Sequence, residues 1–350
     1  LRIALTADPE LPVPPRLYGG IERIIDLLAQ ELVARGHEVS LFAHRDSHSA
    51  GVLHAWPGQS STRKLDTVRN MALLAKQAAG GRFDLIHSFS RVAYLLPLLP
   101  LRVPKLMTYQ REVSLRSVQL GTQLSRGSLW FSAISRSMMR GVGTIGTWRM
   151  IPNGVSLDRY DFVREVAPDA PLVFLGRIEE IKGPHLAIEI ARRSGRRLVI
   201  AGNVPAAHEG WAQEHVLRHV DGAQVTYVGP VDDAAKNLLL GRAAAFLMPI
   251  LWEEPFGIVM AEALACGTPV LALARGAAPE VVEHGVSGFV EQTVDGLVSA
   301  VARMNQLDRA RCRQRVEQHY SAQAITDAYE RVYAEMLQAT GTPHLHPTAA

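Results

Sequence analysis

The sequence predicts an α/β protein of two doubly wound domains that face a cleft. Strand-like runs (RIALTA, EVSLFA, DLIHSF) alternate with helix-like ones such as IERIIDLLAQELVAR. That order gives an open parallel sheet with helices on both faces. The alternation stops at a polar stretch, VSLDRYDFVREVAPDAP, and then begins again. A length of 350 residues suits two ordinary domains, and a hydrophobic fraction of 47% is enough for two large cores. The expected division is a first domain over 1–160 and a second over 161–320, with the polar stretch as linker.

RIALTA opens the first series as a strand. IERIIDLLAQELVAR follows as an amphipathic helix and ends at Gly36. EVSLFA is the next strand. A helix near 64–79, strands DLIHSF and KLMTY, a helix near 115–125 and strand LWFSAI continue it. A short helix near 135–141 and a last strand around RMIPNG close it. The second series runs LVFLG, helix 183–194, RLVIAG, VTYVG, helix 232–240, AAFLMP, helix 256–266 and PVLAL. A short helix near 277–283 and helices near 294–305 and 309–318 follow. A final helix, about 322–340, is expected to pack back on the first domain, and the tail GTPHLHPTAA to be loose.

Net charge is +3, unevenly spread: residues 1–160 hold 20 Lys+Arg and 11 Asp+Glu (+9), residues 161–350 hold 17 and 23 (−6). The halves are therefore expected to meet different partners, with an anionic molecule or a membrane surface on the basic side. No apolar run of about eighteen residues occurs, so no membrane span is expected. Cys266 and Cys312 alone give no disulfide framework. With an N-terminus that reads as a strand and not as a cleavable signal, this points to the cytoplasm.

Ligands of such sheets bind at the carboxyl ends of the strands, so the loops there hold the candidates. From Phe256 to Cys266 the chain is almost wholly apolar, yet it carries Glu262. A helix of that composition is buried on most sides, and a buried carboxylate is costly unless bonded. Glu254 lies eight residues earlier, roughly 12 Å along a helix. Pro255 reads as the first helical residue, which leaves the N–H groups of Phe256, Gly257 and Ile258 as an anion site. The spacing suits a ligand with a sugar ring at one end, a diphosphate in the middle and a ribose at the other. Glu254 would then bond the sugar hydroxyls and Glu262 the ribose, so that ligand and not protein bonds Glu262. The alternative is a carboxylate bonded to buried backbone or to an arginine.

LGRIEEIKG places Arg177 at a strand end and Lys182 before a helix. Both suit phosphate oxygens, although such a pair also suits a solvated surface. Gly19 and Gly20 open the first helix and form a backbone anion cradle. They do not make G-x-G-x-x-G, which argues against a nicotinamide cofactor and discounts Asp46 as a ribose ligand. His87, at the end of DLIHSF, is a catalytic candidate, with a structural histidine as the alternative. YQRE supplies Gln110, Arg111 and Glu112 after another strand, and Asn153-Gly154 marks a turn. Metal-binding and G-x-S-x-G signatures are missing from the sequence, so neither metal nor cofactor is expected.

Taken together, YGGIERIIDLLAQELVARGHEVSLFA, MIPNGVSLDRY, LGRIEEIKGPHLAI, EEPFGIVMAEALACGTPVLA and GVSGFV resemble the GT-B-fold glycosyltransferases of family 4, the glycosyl transferases group 1. The resemblance covers nearly the whole chain. It implies two Rossmann-like domains and a retaining, hexosyl-type transfer from a nucleotide-diphosphate sugar, with a UDP-sugar favoured. It also implies that Arg177 and Lys182 hold the diphosphate, that Glu254 touches the donor sugar and that Glu262 touches the ribose. The implied donor set further takes in Gly202, Val228, Pro255, Phe256, Gly257 and Ile258, with Gly19 and Gly20 closing over the phosphates. Gln110, Arg111 and Glu112 fall on the acceptor side. Gln110 stands where many members carry a histidine, and Ser156 where an acid is common. The implied partners are a sugar nucleotide and a sugar-containing acceptor, anionic or membrane-associated, and no nucleic acid. A same-fold phosphorylase or sugar-nucleotide epimerase, or a sugar-nucleotide binding protein without catalysis, are the alternatives.

Overall fold

Parallel strands covered on both faces must be apolar along their length, and the central strands here are. In a computed structural model that describes residues 1–15 and 19–341, the first sheet holds seven parallel strands. These are β1 (Arg2–Thr6), β2 (Glu38–Ala43), β3 (Val52–Ala55), β4 (Leu85–Ser88), β5 (Lys105–Tyr109), β6 (Leu129–Ala133) and β7 (Trp148–Met150), in the order β3-β2-β1-β4-β5-β6-β7. The second sheet holds β8 (Leu172–Leu175), β9 (Leu198–Ala201), β10 (Val225–Tyr227), β11 (Ala245–Met248), β12 (Val270–Leu273) and β13 (Gly288–Glu291), in the order β10-β9-β8-β11-β12-β13. Both are the doubly wound GT-B type of sheet, with the strand order reversing at β1/β4 and at β8/β11. Phe42, Trp56, Tyr94 and Phe131 fill the first core; Phe174, Ile200, Leu247 and Leu271 fill the second.

Two strands escaped the sequence pattern, β3 and β13, and each lies at a sheet edge. Edge strands are short and half-solvated, so their apolar signal is weak; Val52 is 60% exposed. The helix Glu209–His215, between β9 and β10, was also unread.

The chain divides into two units: Leu1–Asn153 with the segment from Ala322 on, and Gly154–Ser321. The division falls between Asn153 and Gly154 where 160/161 was expected. The polar stretch read as a linker is instead fastened into the second unit. Val163 N–H donates to the Cys266 carbonyl at 3.0 Å, and Phe162 lies where any Cβ on Gly267 would meet it at 2.7 Å. Buried Arg309 donates to the carbonyls of Val163 (2.6 Å), Gly241 (2.8 Å) and Ala243 (2.9 Å) and to Thr268 Oγ1 (2.8 Å). In the first unit, Arg35 pairs with Asp327 and Glu330 at 2.5 Å each, and Arg149 with Glu335 at 2.7 Å, which ties the helix Ala322–Thr340 down. Among the described residues no helix is long and apolar enough to cross a membrane. Tyr18 and the tail beyond Gly341 lie outside the described residues.

Candidate active site

The crossovers of the second sheet leave the loops after β8 to β12 along one edge, and most of the candidates gather there. Gly202 closes β9 at φ 139°, and a Cβ on it would lie 1.8 Å from the Gly176 carbonyl oxygen. Only glycine lets the ends of β8 and β9 come this close. Val228 follows β10 with its backbone bonded to Ile200 and its side chain 48% exposed. Arg177, after β8, lies 2.7 Å from Oε1 of buried Glu179, an ion contact whose angles do not make a hydrogen bond. Gly183, at φ 76°, packs so tightly that a Cβ would lie 2.1 Å from the Pro249 carbonyl oxygen. That turn carries Lys182 to the end of β11. There its Nζ donates to Glu254 Oε2 at 2.6 Å and lies 4.9 Å from the Trp252 ring. Trp252 Nε1 donates to the same oxygen at 2.9 Å. Among the described residues Glu254 Oε1 has no hydrogen-bond donor.

The helix after Glu254 starts later than expected. It spans Ile258–Ala265, with Gly257 as its N-cap in a left-handed conformation, φ 74°. Pro255 is therefore not its first residue, and the twelve-ångström spacing along a helix does not apply to Glu254. The reason is tertiary: the Glu253-Glu254 backbone is laid against the turn after β12. Gly276 N–H bonds Glu253 Oε2 (2.8 Å) and Ala277 N–H bonds the Glu254 carbonyl (2.9 Å) there. Gly276 is required, since a Cβ would lie 2.2 Å from Glu254 O. Among the described residues the N–H groups of Phe256, Gly257, Ile258 and Val259 find no protein acceptor. Four such donors at a helix start attract an anion.

Glu262 is 4% exposed, and the expectation that only ligand bonds it is corrected. Its Oε1 accepts from Tyr160 Oη at 2.6 Å and from Lys236 Nζ at 2.7 Å. Among the described residues Oε2 meets no hydrogen-bond donor. The carbonyl end of the same helix is held by Arg313, which donates to the Ala265 and Tyr160 carbonyls at 2.9 Å each. Tyr160, Lys236 and Arg313 were not singled out in the sequence. The one available signal was the cost of burying Glu262, which demanded a cation on a neighbouring element.

In the first unit, Gly19 (φ 153°) admits no Cβ, which would lie 2.7 Å from Glu22 Oε2, and Gly20 begins the helix Gly20–Ala34. Asp8, just beyond β1, has a buried Oδ1 without a hydrogen-bond partner among the described residues, and burial, then Glu10, push its carboxyl up to about 6. Burial likewise raises Glu22, and the charge of Arg111 opposes both shifts. Gln110 exchanges two 2.8 Å hydrogen bonds with Asn153, while Arg111 and Glu112 are exposed.

His87 is withdrawn as a catalytic candidate. It is fully buried, its Nδ1 is 2.6 Å from Tyr333 Oη and its Nε2 is 2.7 Å from Thr108 Oγ1. Burial pulls its pKa down to about 3, so it stays a neutral link between β4 and the final helix. The strand end faces the right way, but the ring is capped by Tyr329 and Phe89 at 4.8 and 4.2 Å. A pH prediction follows. Unfolded His87 binds a proton below its ordinary pKa of about 6.5, whereas folded His87 does not until about 3. Stability is therefore lost as pH falls through that window, by about 1.4 kcal/mol per pH unit. Asp8 works the other way, since its raised folded pKa favours the folded state as pH falls from about 6. Urea unfolding of Asp8→Asn is expected to show a steeper fall in stability between pH 6 and 4 than wild type. Equal slopes would refute this assignment.

Among the described residues no group of three or more His, Cys, Asp or Glu could hold a metal ion. Residues 163–319 match the family model Glycosyl transferases group 1, and residues 18–159 match Glycosyltransferase Family 4. Spore coat protein SA of Bacillus subtilis (strain 168) is 24% identical, covering 88% of this chain and 90% of its own length. Glycogen synthase of Mycobacterium tuberculosis (strain ATCC 25618 / H37Rv) is 33% identical over 53% of this chain, which spans 47% of that protein's length. The structure of Anabaena Alr3699/HepE in complex with UDP and glucose has a TM-score of 0.71 at 18% identity, covering 95% of this chain and 99% of that one. At that identity the likeness shows the fold alone.

Proposed function

The chain belongs to the glycosyltransferases of family 4, the glycosyl transferases group 1, and on that premise we propose that it is a retaining hexosyltransferase with a UDP-hexose donor. The observation that carries the reading is the Lys182–Glu254 contact of 2.6 Å beside four free backbone N–H groups. A cation for a diphosphate, an acid for a sugar and an anion-binding helix start are set next to one another. Arg177 adds a second cation after β8. Val228 and Gly202 offer an exposed apolar wall and a close backbone for the base. The choice of a UDP-hexose is made by analogy with a protein of the same fold solved with UDP and glucose.

In the proposed reaction the acceptor hydroxyl attacks the anomeric carbon from the face that the diphosphate leaves. The C–O bond to the diphosphate breaks as the new C–O bond forms, and a diphosphate oxygen takes the hydroxyl proton. Lys182, Arg177 and the N–H groups of residues 256–259 stabilise the charge that builds on the leaving group. Glu254 offers its free Oε1 to the sugar, and Glu262 offers its free Oε2 to the ribose. The acceptor is anionic or membrane-borne on this reading, because residues 1–160 carry 20 Lys+Arg against 11 Asp+Glu.

Thermal shift against a panel of sugar nucleotides tests the donor. A UDP-hexose is expected to raise Tm most, and NMR of the product is expected to show a retained anomeric configuration. A panel without any stabilising nucleotide sugar, or an inverted product, would sink the reading. Lys236 and Tyr160 position Glu262 without touching the donor. Lys236→Met and Tyr160→Phe are each expected to raise donor KM by about tenfold or less at unchanged kcat. A loss confined to kcat in steady-state assays would contradict that positioning role.

A further inference from the structure

The second unit carries a groove of about 370 Å³ that the donor reading does not use. It lies between the helix Pro184–Arg193 and the segment Glu209–His219, and is lined by His185, Glu189, Arg192, Arg193, His215 and His219. The cations here are unequally paired. Arg193 is matched twice, by Glu189 at 2.8 Å and Asp295 at 2.5 Å. Arg192 has no carboxylate at ion-pair distance among the described residues. It donates to the His219 carbonyl at 3.2 Å and faces His219 Nδ1 at 3.5 Å. Arg218 faces Nε2 of the same ring at 3.3 Å.

His219 thus sits between two guanidiniums. Burial, then Arg192, Arg218 and His215, hold its pKa below the ordinary value. Among the acids nearby, Asp221 feels the charge of Arg192 from beyond ion-pair distance. Asp221 accepts the backbone N–H groups of Ala223, Gln224 and Val225, and Glu214 lies 3.9 Å from His215. On the other wall, His185 feels Glu180 and Glu189. Its Nδ1 is buried with no hydrogen-bond partner among the described residues, its ring stands edge-on to Trp211 at 5.3 Å, and Trp211 packs on His215 at 5.2 Å. Arg192 and Arg218 converge on one ring with no carboxylate at ion-pair distance from either among the described residues, and an anion would offset their repulsion.

We propose that this groove binds a small phosphate-bearing molecule, its dianion held by Arg192 and the imidazoles of His215 and His219. The volume leaves room for more than a phosphate group. Binding draws a proton onto His219, whose pKa its cationic neighbours hold down, so affinity rises as pH falls.

The test titrates inorganic sulfate, inorganic phosphate and glucose 1-phosphate into the whole protein and follows the imidazole Cε1–H signals by NMR. The His215 and His219 signals report this groove and not the donor site. They are expected to shift saturably. Sulfate, whose charge is constant over the range, is expected to bind several-fold tighter at pH 6 than at pH 8. Arg192→Ala is expected to weaken binding about tenfold or more at wild-type Tm and donor turnover. Should that variant fail to fold, His219→Gln takes its place with the same expected loss. Equal affinity for phosphate and glucose 1-phosphate assigns a free phosphate site, and tighter glucose 1-phosphate assigns a sugar phosphate. Unmoved signals, pH-independent sulfate binding, or undiminished binding in the folded variant would overturn the proposal.

Discussion

Glu254→Gln is expected to lower kcat by about 10²- to 10³-fold, the range for removing one fixed charge or donor aimed at a transition state. As the bond to the diphosphate breaks, the sugar ring acquires positive character that is small in the bound substrate. A carboxylate beside it therefore acts mainly on the transition state, and its loss appears in kcat more than in KM. Glutamine keeps the size of the side chain and an oxygen for Trp252 Nε1 and Lys182 Nζ, which donate at 2.9 and 2.6 Å. Lys182 keeps its charge and its reach to the diphosphate, so donor KM is expected to stay within about threefold. Steady-state kinetics on a variant with wild-type Tm decides the matter. A kcat within a few-fold of wild type would make Glu254 a structural partner of Lys182 and nothing more.

Glu262→Gln is expected to raise donor KM by roughly 10- to 150-fold with kcat nearly unchanged. A hydrogen bond to a charged group contributes about 1.5–3 kcal/mol, and a ribose far from the breaking bond is bound equally in both states. The structure adds a complication. Glu262 Oε1 is also the counter-charge of Lys236, whose side chain is only 12% exposed and whose Nζ lies 3.2 Å from its other acid, Asp233. Part of the loss in Glu262→Gln would therefore come from an unsettled lysine. The double variant Glu262→Gln/Lys236→Met separates the two. Its donor KM is expected to match that of Glu262→Gln if the ribose bond is what was lost. Recovery of wild-type KM in the double variant would show that Glu262 serves only to neutralise Lys236.

Local pattern determined a good deal of this. Alternating strand-like and helix-like runs specified two doubly wound sheets, because covered parallel strands must be apolar and crossover helices must be amphipathic. The same pattern located Arg177, Lys182, Glu254 and Glu262 in loops or helices at strand ends, since chain order fixes which end of a parallel strand a loop follows. Edge strands β3 and β13 stayed hidden because half-solvated strands have little apolar signature.

Tertiary structure alone decided what each polar group meets. His87 sits at a strand end of the right sense, yet the final helix brings Tyr333 and Tyr329 over it and seals it. The helix after Glu254 begins at Ile258 because Gly276 and Ala277, some twenty residues on, hold Glu253 and Glu254 out of helical geometry. Glu262 acquires Tyr160 from a stretch that reads as linker and Lys236 from the preceding helix. Spacing along a chain reports which side of an element a residue occupies. It carries no information on which distant side chain reaches the same point in space, and the energy of a buried charge depends on that partner.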